Sequence, residues 1–219
     1  MPSVDYQFLK DEIVRDLFNK APDQRTRIIL RILSNGLRPC ELLRLDVKDI
    51  VLNNNPPYIN VREPKGYKKE PFRWCKICKE RFPVEYMAHE HETTIKNRPI
   101  KPRKVPIEDP IMVDDLRIFL HNRKLDEPLL IATRNPIRRI SYSTLYHIFK
   151  ELVKTIGKTD LILYDLRHFK GKELKKRGIP DSVGAALLGH SVWIYAHTYG
   201  QLDVSDIDDV LKLFPQQQK

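Results

Sequence analysis

The 219-residue sequence predicts a mainly α fold with a small antiparallel β-sheet, an α+β domain, and three observations lead there. Apolar residues recur at helical spacing through the first fifty residues and again through the last third. Two short β-like runs flank a cluster of Asn and Pro between them. No internal repeat interrupts this order, and low complexity is confined to residues 216–219. At 41% hydrophobic residues, the chain can bury a core and is too apolar to be largely disordered. No apolar run approaches the roughly 18–20 residues that cross a bilayer. The polar first ten residues carry no signal-peptide pattern, so a soluble, cytoplasmic protein is expected.

Residues 7–20 carry Phe8, Ile13, Val14, Leu17 and Phe18 at helical spacing, and Ala21-Pro22-Asp23 ends that helix. Asp23 can cap a second helix over 24–34, whose Ile28, Ile29, Leu30, Ile32 and Leu33 predict deep burial. Asn35-Gly36 supplies a turn, and Pro39 suits the first turn of a short helix ending near Leu45. Residues 50–52 and 58–62 read as strands separated by Asn53-Asn54-Asn55-Pro56-Pro57. A basic, irregular stretch over 64–104 ends in a strand at Val105-Pro106-Ile107. Residues 110–124 form an amphipathic helix with Ile111, Val113, Leu116, Ile118 and Phe119 as its apolar set, and 129–131 is a short buried strand or turn. Ser143 can cap a helix running to Ile156 with Leu145, Ile148, Phe149 and Leu152 inward. Helices over 166–177, 181–188 and 204–214 complete the chain, punctuated by Gly178, Pro180 and Gly189.

Charge points to a polyanionic partner. Lys+Arg number 39 against 29 Asp+Glu, a net charge of +10. Nucleic acid is the commonest partner for that balance, because neutralising phosphates releases condensed counterions; a basic protein kept soluble by its charge is the bland alternative. Three cysteines, Cys40, Cys75 and Cys78, are too few and too odd for a disulfide framework.

Three separated segments carry the chemistry. They are Gly36-Leu37-Arg38-Pro39-Cys40-Glu41, then Tyr164-Asp165-Leu166-Arg167-His168, then Leu187-Leu188-Gly189-His190 with Tyr199 nine residues on. In order and spacing they resemble the phage integrase, or tyrosine recombinase, family over roughly residues 5–205. The family's catalytic domain has an arginine after a Gly-Leu turn, a His-x-x-Arg segment, a Leu-Gly-His segment and a nucleophilic tyrosine. Any one segment alone would be weak; the three together are specific.

The resemblance implies a site-specific DNA recombinase or integrase acting through a 3′-phosphotyrosyl intermediate, with a tyrosine recombinase catalytic-domain-like fold. Arg38 and Arg167 would grip the phosphate, since guanidinium groups stay charged and offer forked donors that match two oxygens. Taken singly, Arg38 reads as a surface cation and Arg167 as an ion-pair partner of Asp165 or Glu173. His190 would hydrogen-bond the phosphate. Tyr199 would be the nucleophile, with Tyr195 its rival. A covalent intermediate conserves the bond energy, so no catalytic cofactor is needed. Tyr164 departs from the pattern, standing where most members have histidine; a phenol can donate to phosphate but is no general base near neutrality. Lys65 best matches the family's hairpin-turn lysine that protonates the leaving group, with Lys68 and Lys101 as rivals.

The stretch between the two hairpin strands, residues 66–100, reads as an insertion. It contains Cys75 and Cys78, then His89 and His91, four ligands that suit a tetrahedral, structural Zn2+. The resemblance to zinc fingers is partial: ten residues separate Cys78 from His89, and histidines two apart point away from each other on a regular helix. Phe82 and Met87 are candidates for its small core. Chance cysteines in a basic loop, or a site using one histidine, are the other readings.

The whole of 1–219 is therefore expected to be a catalytic domain, with residues 203–219 as a C-terminal tail. Double-stranded DNA is the expected partner, and a nucleoid-associated location follows. Val204, Ile207, Val210, Leu211 and Leu213 would let the tail dock on a neighbouring protomer, as such tails do in the family, giving a homo-oligomer up to a synaptic tetramer, or fold back on its own core. The motifs begin by Gly36, which leaves no room for the N-terminal DNA-clasping domain usual in the family. Type IB topoisomerase-like relaxation, or a non-catalytic zinc-containing DNA-binding module, are the alternatives.

Overall fold

The computed structural model of the chain describes residues 9–62, 72–85, 87, 89–96, 102–133 and 135–200. The predicted start of the first helix at residues 7–8, the lysines Lys65, Lys68 and Lys101, and the tail with its 204–214 helix lie outside the described residues.

Helix α1 spans Asp11–Asn19 and buries Val14 and Leu17. Asp23 caps α2 (Gln24–Ser34), its carboxylate accepting from the Thr26 backbone N–H at 2.6 Å. The Ile28–Leu33 run makes α2 the central helix of the fold, packed against its neighbours on several sides. Fully burying Ile28, Ile29, Leu30, Ile32 and Leu33 contributes on the order of 10 kcal/mol before ordering entropy. Pro39 starts α3 as expected, but α3 stops at one turn, Pro39–Leu42.

Strands β1 (Ile50–Val51) and β2 (Tyr58–Val61) pair antiparallel. Between β2 and its other partner come β3 (Phe72–Cys75), β4 (Arg81–Phe82) and β5 (Thr93–Lys96), which form their own sheet in the order β4-β3-β5. Strand β6 (Arg103–Pro106) then returns to β2 with Ile59 opposite Val105. A single small sheet was expected; among the described residues there are three, the last a two-stranded pair of β7 (Ile131–Ala132) and β8 (Asn135–Arg139).

Helix α4 (Pro110–Leu120) buries Met112 and Leu116, whereas Ile111 and Ile118 are exposed, so the predicted apolar face is rotated. Ser141, not Ser143, caps α5 (Tyr142–Thr155). Then follow α6 (Leu163–Lys176), α7 (Asp181–Leu188) and α8 (Val192–Tyr199). No described helix is long and apolar enough to cross a membrane.

Buried apolar side chains fall into two clusters. The larger runs from Leu9 to Leu166 and is built around α2. The smaller contains Leu174, Ala185, Leu188, Tyr195 and Tyr199, from α6, α7 and α8. Arg167, directly after the last member of the larger cluster, lies at the seam between them.

Candidate active site

The chain leaves α2 through Gly36, whose φ of +94° favours glycine and whose missing Cβ leaves room for the Leu188 side chain. Leu37 is fully buried and fixes the exit direction. Arg38 then stands at the N-terminus of α3 and folds over the turn: its Nη1 donates to Glu41 Oε1 at 2.8 Å and its Nη2 to the Gly189 carbonyl at 2.8 Å.

Glu41 has no exposed side-chain surface and gathers three arginines. Arg103, from β6, grips it with both terminal nitrogens at 3.0 and 2.8 Å while Nε donates to the Leu187 carbonyl. Arg167 Nη1 lies 3.9 Å from Oε2. Burial alone would raise the Glu41 carboxyl, but the hydrogen bond and charge of Arg103, with the charge of Arg38, outweigh it and bring the pKa down to about 2. Three guanidinium groups around one carboxylate leave a local excess of positive charge.

Arg167 is 2% exposed and donates to the carbonyls of Gly36 and Leu188. Its Nη2 is also 2.9 Å from His190 Nε2. Burial, then the charge of Arg38, lowers its pKa to about 9, which still leaves it charged at neutral pH. The ion pairs suggested by sequence with Asp165 or Glu173 give way to these carbonyls and Glu41.

His190 follows Gly189, whose φ of +63° ends α7 in the left-handed region. Burial and the charges of Arg167 and Arg38 push the imidazole down to about 3, so it is neutral. Its Nε2 faces a donor on Arg167 and must accept, which puts the ring proton on Nδ1. That Nδ1 is buried and has no hydrogen-bond partner among the described residues.

Tyr199 is the last residue of α8 and is 1% exposed. Its ring lies 6.2 Å from the His190 ring and nearly parallel to it, and its Oη is 3.1 Å from His168 Nδ1. Tyr195 is oriented differently: its hydroxyl donates to the Gly171 carbonyl at 3.2 Å, and burial first of all raises its pKa to about 12. Tyr164 is half-buried on α6, its phenol pushed up by burial and by Cys40 and Tyr142 nearby, against the pull of Arg38 and Arg167.

Arg38, Arg167, His190 and Tyr199 therefore converge, with Tyr164 beside the two arginines; Lys65 falls outside the described residues. The sequence reading missed Glu41, Arg103 and His168. Glu41 did leave a signal, an acid three residues after Arg38 in a proline-started turn; Arg103 and His168 left none, because tertiary contacts alone recruit them.

The cysteine–histidine residues form a second cluster. The ligand atoms of Cys75, Cys78, His89 and His91 all lie within 4.8 Å of one another. Cys78 Sγ is 3.2 Å from His91 Nδ1 and 3.6 Å from His89 Nε2. A tetrahedral zinc with ordinary bond lengths would hold sulfur and nitrogen about 3.6 Å apart. The Cys78 backbone N–H points at Cys75 Sγ, 3.3 Å away, and with His89 it outweighs burial and lowers that thiol to about 6. The donor set fits zinc. His89 and His91 lie in the irregular stretch before β5, not on a helix, which is how two histidines two residues apart converge. Phe82 packs its ring 4.3 Å from that of His89, but Met87 is 75% exposed and no part of a core.

No curated protein matches the sequence. Among solved structures, the chain is similar to the XerA recombinase, at 20% identity and a TM-score of 0.66 over 100% of this chain and 67% of that one. It is similar to the Tn1549 transposon integrase in complex with transposon right end DNA, at 16% identity and a TM-score of 0.63 over 97% and 66%. For the XerH site-specific recombinase bound to its difH substrate the values are 15%, 0.59, 96% and 55%. The chain thus spans from 55% to 67% of the length of these three, and shares their fold. The sequence profile of the phage integrase family matches residues 7–205, and the chain belongs to that family.

Proposed function

We propose that this chain is the catalytic domain of a tyrosine-type site-specific DNA recombinase or integrase, in which Tyr199 attacks a DNA phosphate and is left joined to its 3′ side. The observation that carries the reading is the convergence of Arg38, Arg167 and His190 around the end of α8 that bears Tyr199. The family match and the DNA bound in two of the structural relatives support the substrate class.

The phosphate's non-bridging oxygens gain charge in the pentacoordinate transition state, where donors aimed at them are worth several kcal/mol. Arg38 and Arg167 supply that charge, and His190 Nδ1–H, unmet among the described residues, is a donor suited to a phosphate oxygen. Tyr164 adds a phenolic O–H at the rim and no base. Protonation of the departing 5′-oxygen falls to Lys65, with Lys68 and Lys101 as rivals. Tyr199 rests inward with its hydroxyl on His168, so DNA binding has to open a path for the phosphate to reach it there.

Cys75, Cys78, His89 and His91 would hold a structural zinc that staples the β4-β3-β5 sheet, the insertion over 66–100. DNA synapsis would use a homo-oligomer, up to a tetramer, joined through the 203–219 tail, in association with the nucleoid. The buried Tyr199 and the replacement of histidine by Tyr164 favour a second reading, a DNA-binding module without cleavage; type IB topoisomerase-like relaxation would use the same chemistry without strand exchange.

A duplex nicked beside the scissile phosphate traps the covalent intermediate. The wild-type chain should give a protein–DNA adduct mapped by mass spectrometry to Tyr199, and Tyr199→Phe none. An adduct on Tyr195, or one that survives Tyr199→Phe, overturns the nucleophile assignment; no adduct at any pH favours the binding module.

A further inference from the structure

We infer that His168 is the general base of the reaction, taking the phenolic proton of Tyr199 on Nδ1. The inference rests on Tyr199 being the nucleophile.

A phenol with a pKa near 10 is almost wholly protonated at neutral pH, so attack needs a proton acceptor within hydrogen-bond reach of Oη. Among the described residues the neighbours differ in what they can accept. Arg38 and Arg167 are cations without a lone pair to offer. His190 is a neutral imidazole, but Nε2 already faces Arg167 and Nδ1 carries the proton. Tyr164 is a phenol whose own pKa is raised. His168 presents Nδ1 to Tyr199 Oη at 3.1 Å, with ring centroids 5.8 Å apart and planes at 54°. With its ring proton on Nε2, the Nδ1 lone pair accepts the phenolic O–H.

Position in the fold explains the alignment. His168 follows Arg167 on α6, and one turn further on Gly171 has no side chain, which lets the Tyr199 ring lie against α6. Burial and the charge of Arg167 lower the His168 pKa, which keeps the ring in its neutral, accepting form. The task barred to Tyr164 thus passes to a residue four positions on, one helical turn away.

The step balances. The Tyr199 Oη–P bond forms as the P–O5′ bond breaks, and the phenolic proton moves to His168 Nδ1. The departing 5′-oxygen takes a proton from a separate acid, the role proposed for Lys65, and leaves as a hydroxyl. Rejoining reverses each transfer, with His168 returning the proton to Tyr199.

The test measures the rate of adduct formation on the nicked duplex, once with the natural 5′-oxygen and once with sulfur in its place, since a thiolate leaves without an acid. His168→Ala and His168→Asn are compared with wild type after melting and DNA binding confirm that they fold. Asn keeps an acceptor near the Nδ1 position but cannot take the proton. A base at this position is worth about 100-fold or more, so both variants should be slowed by that much on both substrates. Recovery of the wild-type rate by Asn would overturn the inference in favour of a hydrogen bond that merely orients Tyr199. A wild-type rate in His168→Ala, or a rate above wild type in either variant, would make His168 a latch that restrains the phenol. Rescue by sulfur would assign it to the leaving group. If His168→Ala does not fold, His168→Gln, closer in bulk, takes its place beside Asn. Adducts that persist in Tyr199→Phe would mean that the nucleophile assignment has failed, a result separate from all of these.

Discussion

Glu41 carries a full negative charge with no exposed side-chain surface, and Arg38, Arg103 and Arg167 are held around it. Removing one member of a buried ionic group strands the others, at a cost of about 3–5 kcal/mol. Glu41→Ala should therefore destabilise the chain by that order, read from denaturant midpoints. The pH dependence has a definite sign. The folded pKa, about 2, is below the ordinary value of 4.5, so the contribution is complete above pH 4.5 and is lost as pH falls toward 2. The difference amounts to about 3 kcal/mol. Stability of wild type minus that of Glu41→Gln should shrink over that window, and parallel curves would refute the assignment. At this scale the residues proposed to grip the phosphate were open to sequence reading through family spacing: Arg38, Arg167 and His190 sit in short motifs with fixed offsets. Arg103 and His168 were not, since β6 meets α3, and α6 meets the end of α8, only in three dimensions, while Glu41 showed itself only as an acid three residues after Arg38.

Helix α8 shows what an element needs in order to be read from sequence. Its residues, Val192 to Tyr199, include no acid, and three of its large side chains, Val192, Trp193 and Ile194, are substantially exposed, so no helical apolar stripe stands out. What holds it is the second apolar cluster: Tyr195 and Tyr199 are buried against glycines, Gly184 on α7 and Gly171 on α6. Helices α2, α5 and α7, by contrast, have caps or clean breakers at their ends and match their expected spans within two residues. The Gly171 contact decides between two opposed effects. Alanine inside a helix is ordinarily favoured over glycine by about 1 kcal/mol. At Gly171 a Cβ would run into the Tyr199 ring, and overpacking costs about 1–3 kcal/mol. Gly171→Ala should therefore lower the melting temperature and slow adduct formation by displacing the phenol from His168. A stabilised variant with unchanged adduct rate would mean that Tyr199 does not rest against α6.

Across the whole molecule, the α2-centred core and the β2–β6 pairing follow from apolar runs and turn signals. The sheet of residues 72–96 does not, because those residues belong to neither apolar cluster. Strands of four, two and four residues bury too little to stand alone in water, and segments below about 40 residues usually need a metal or disulfide. The cysteines here are free thiols, and the ligand atoms of Cys75, Cys78, His89 and His91 lie within 4.8 Å of one another, so zinc is the staple proposed for the sheet. Zinc binding in small modules is worth about 10–16 kcal/mol, and that energy is folding energy for the segment it holds. The purified chain should accordingly contain one zinc. A chelator should abolish hydrogen-exchange protection in β3 and β5 while α2, β2 and α6 keep theirs, since the main core draws no side chain from the described residues of the insert. Cys75→Ser should reproduce the chelated pattern without chelator. Protection lost everywhere at once would make the insert an integral part of the core, and an unchanged pattern with no bound metal would leave the thiols and imidazoles as neighbours without an ion.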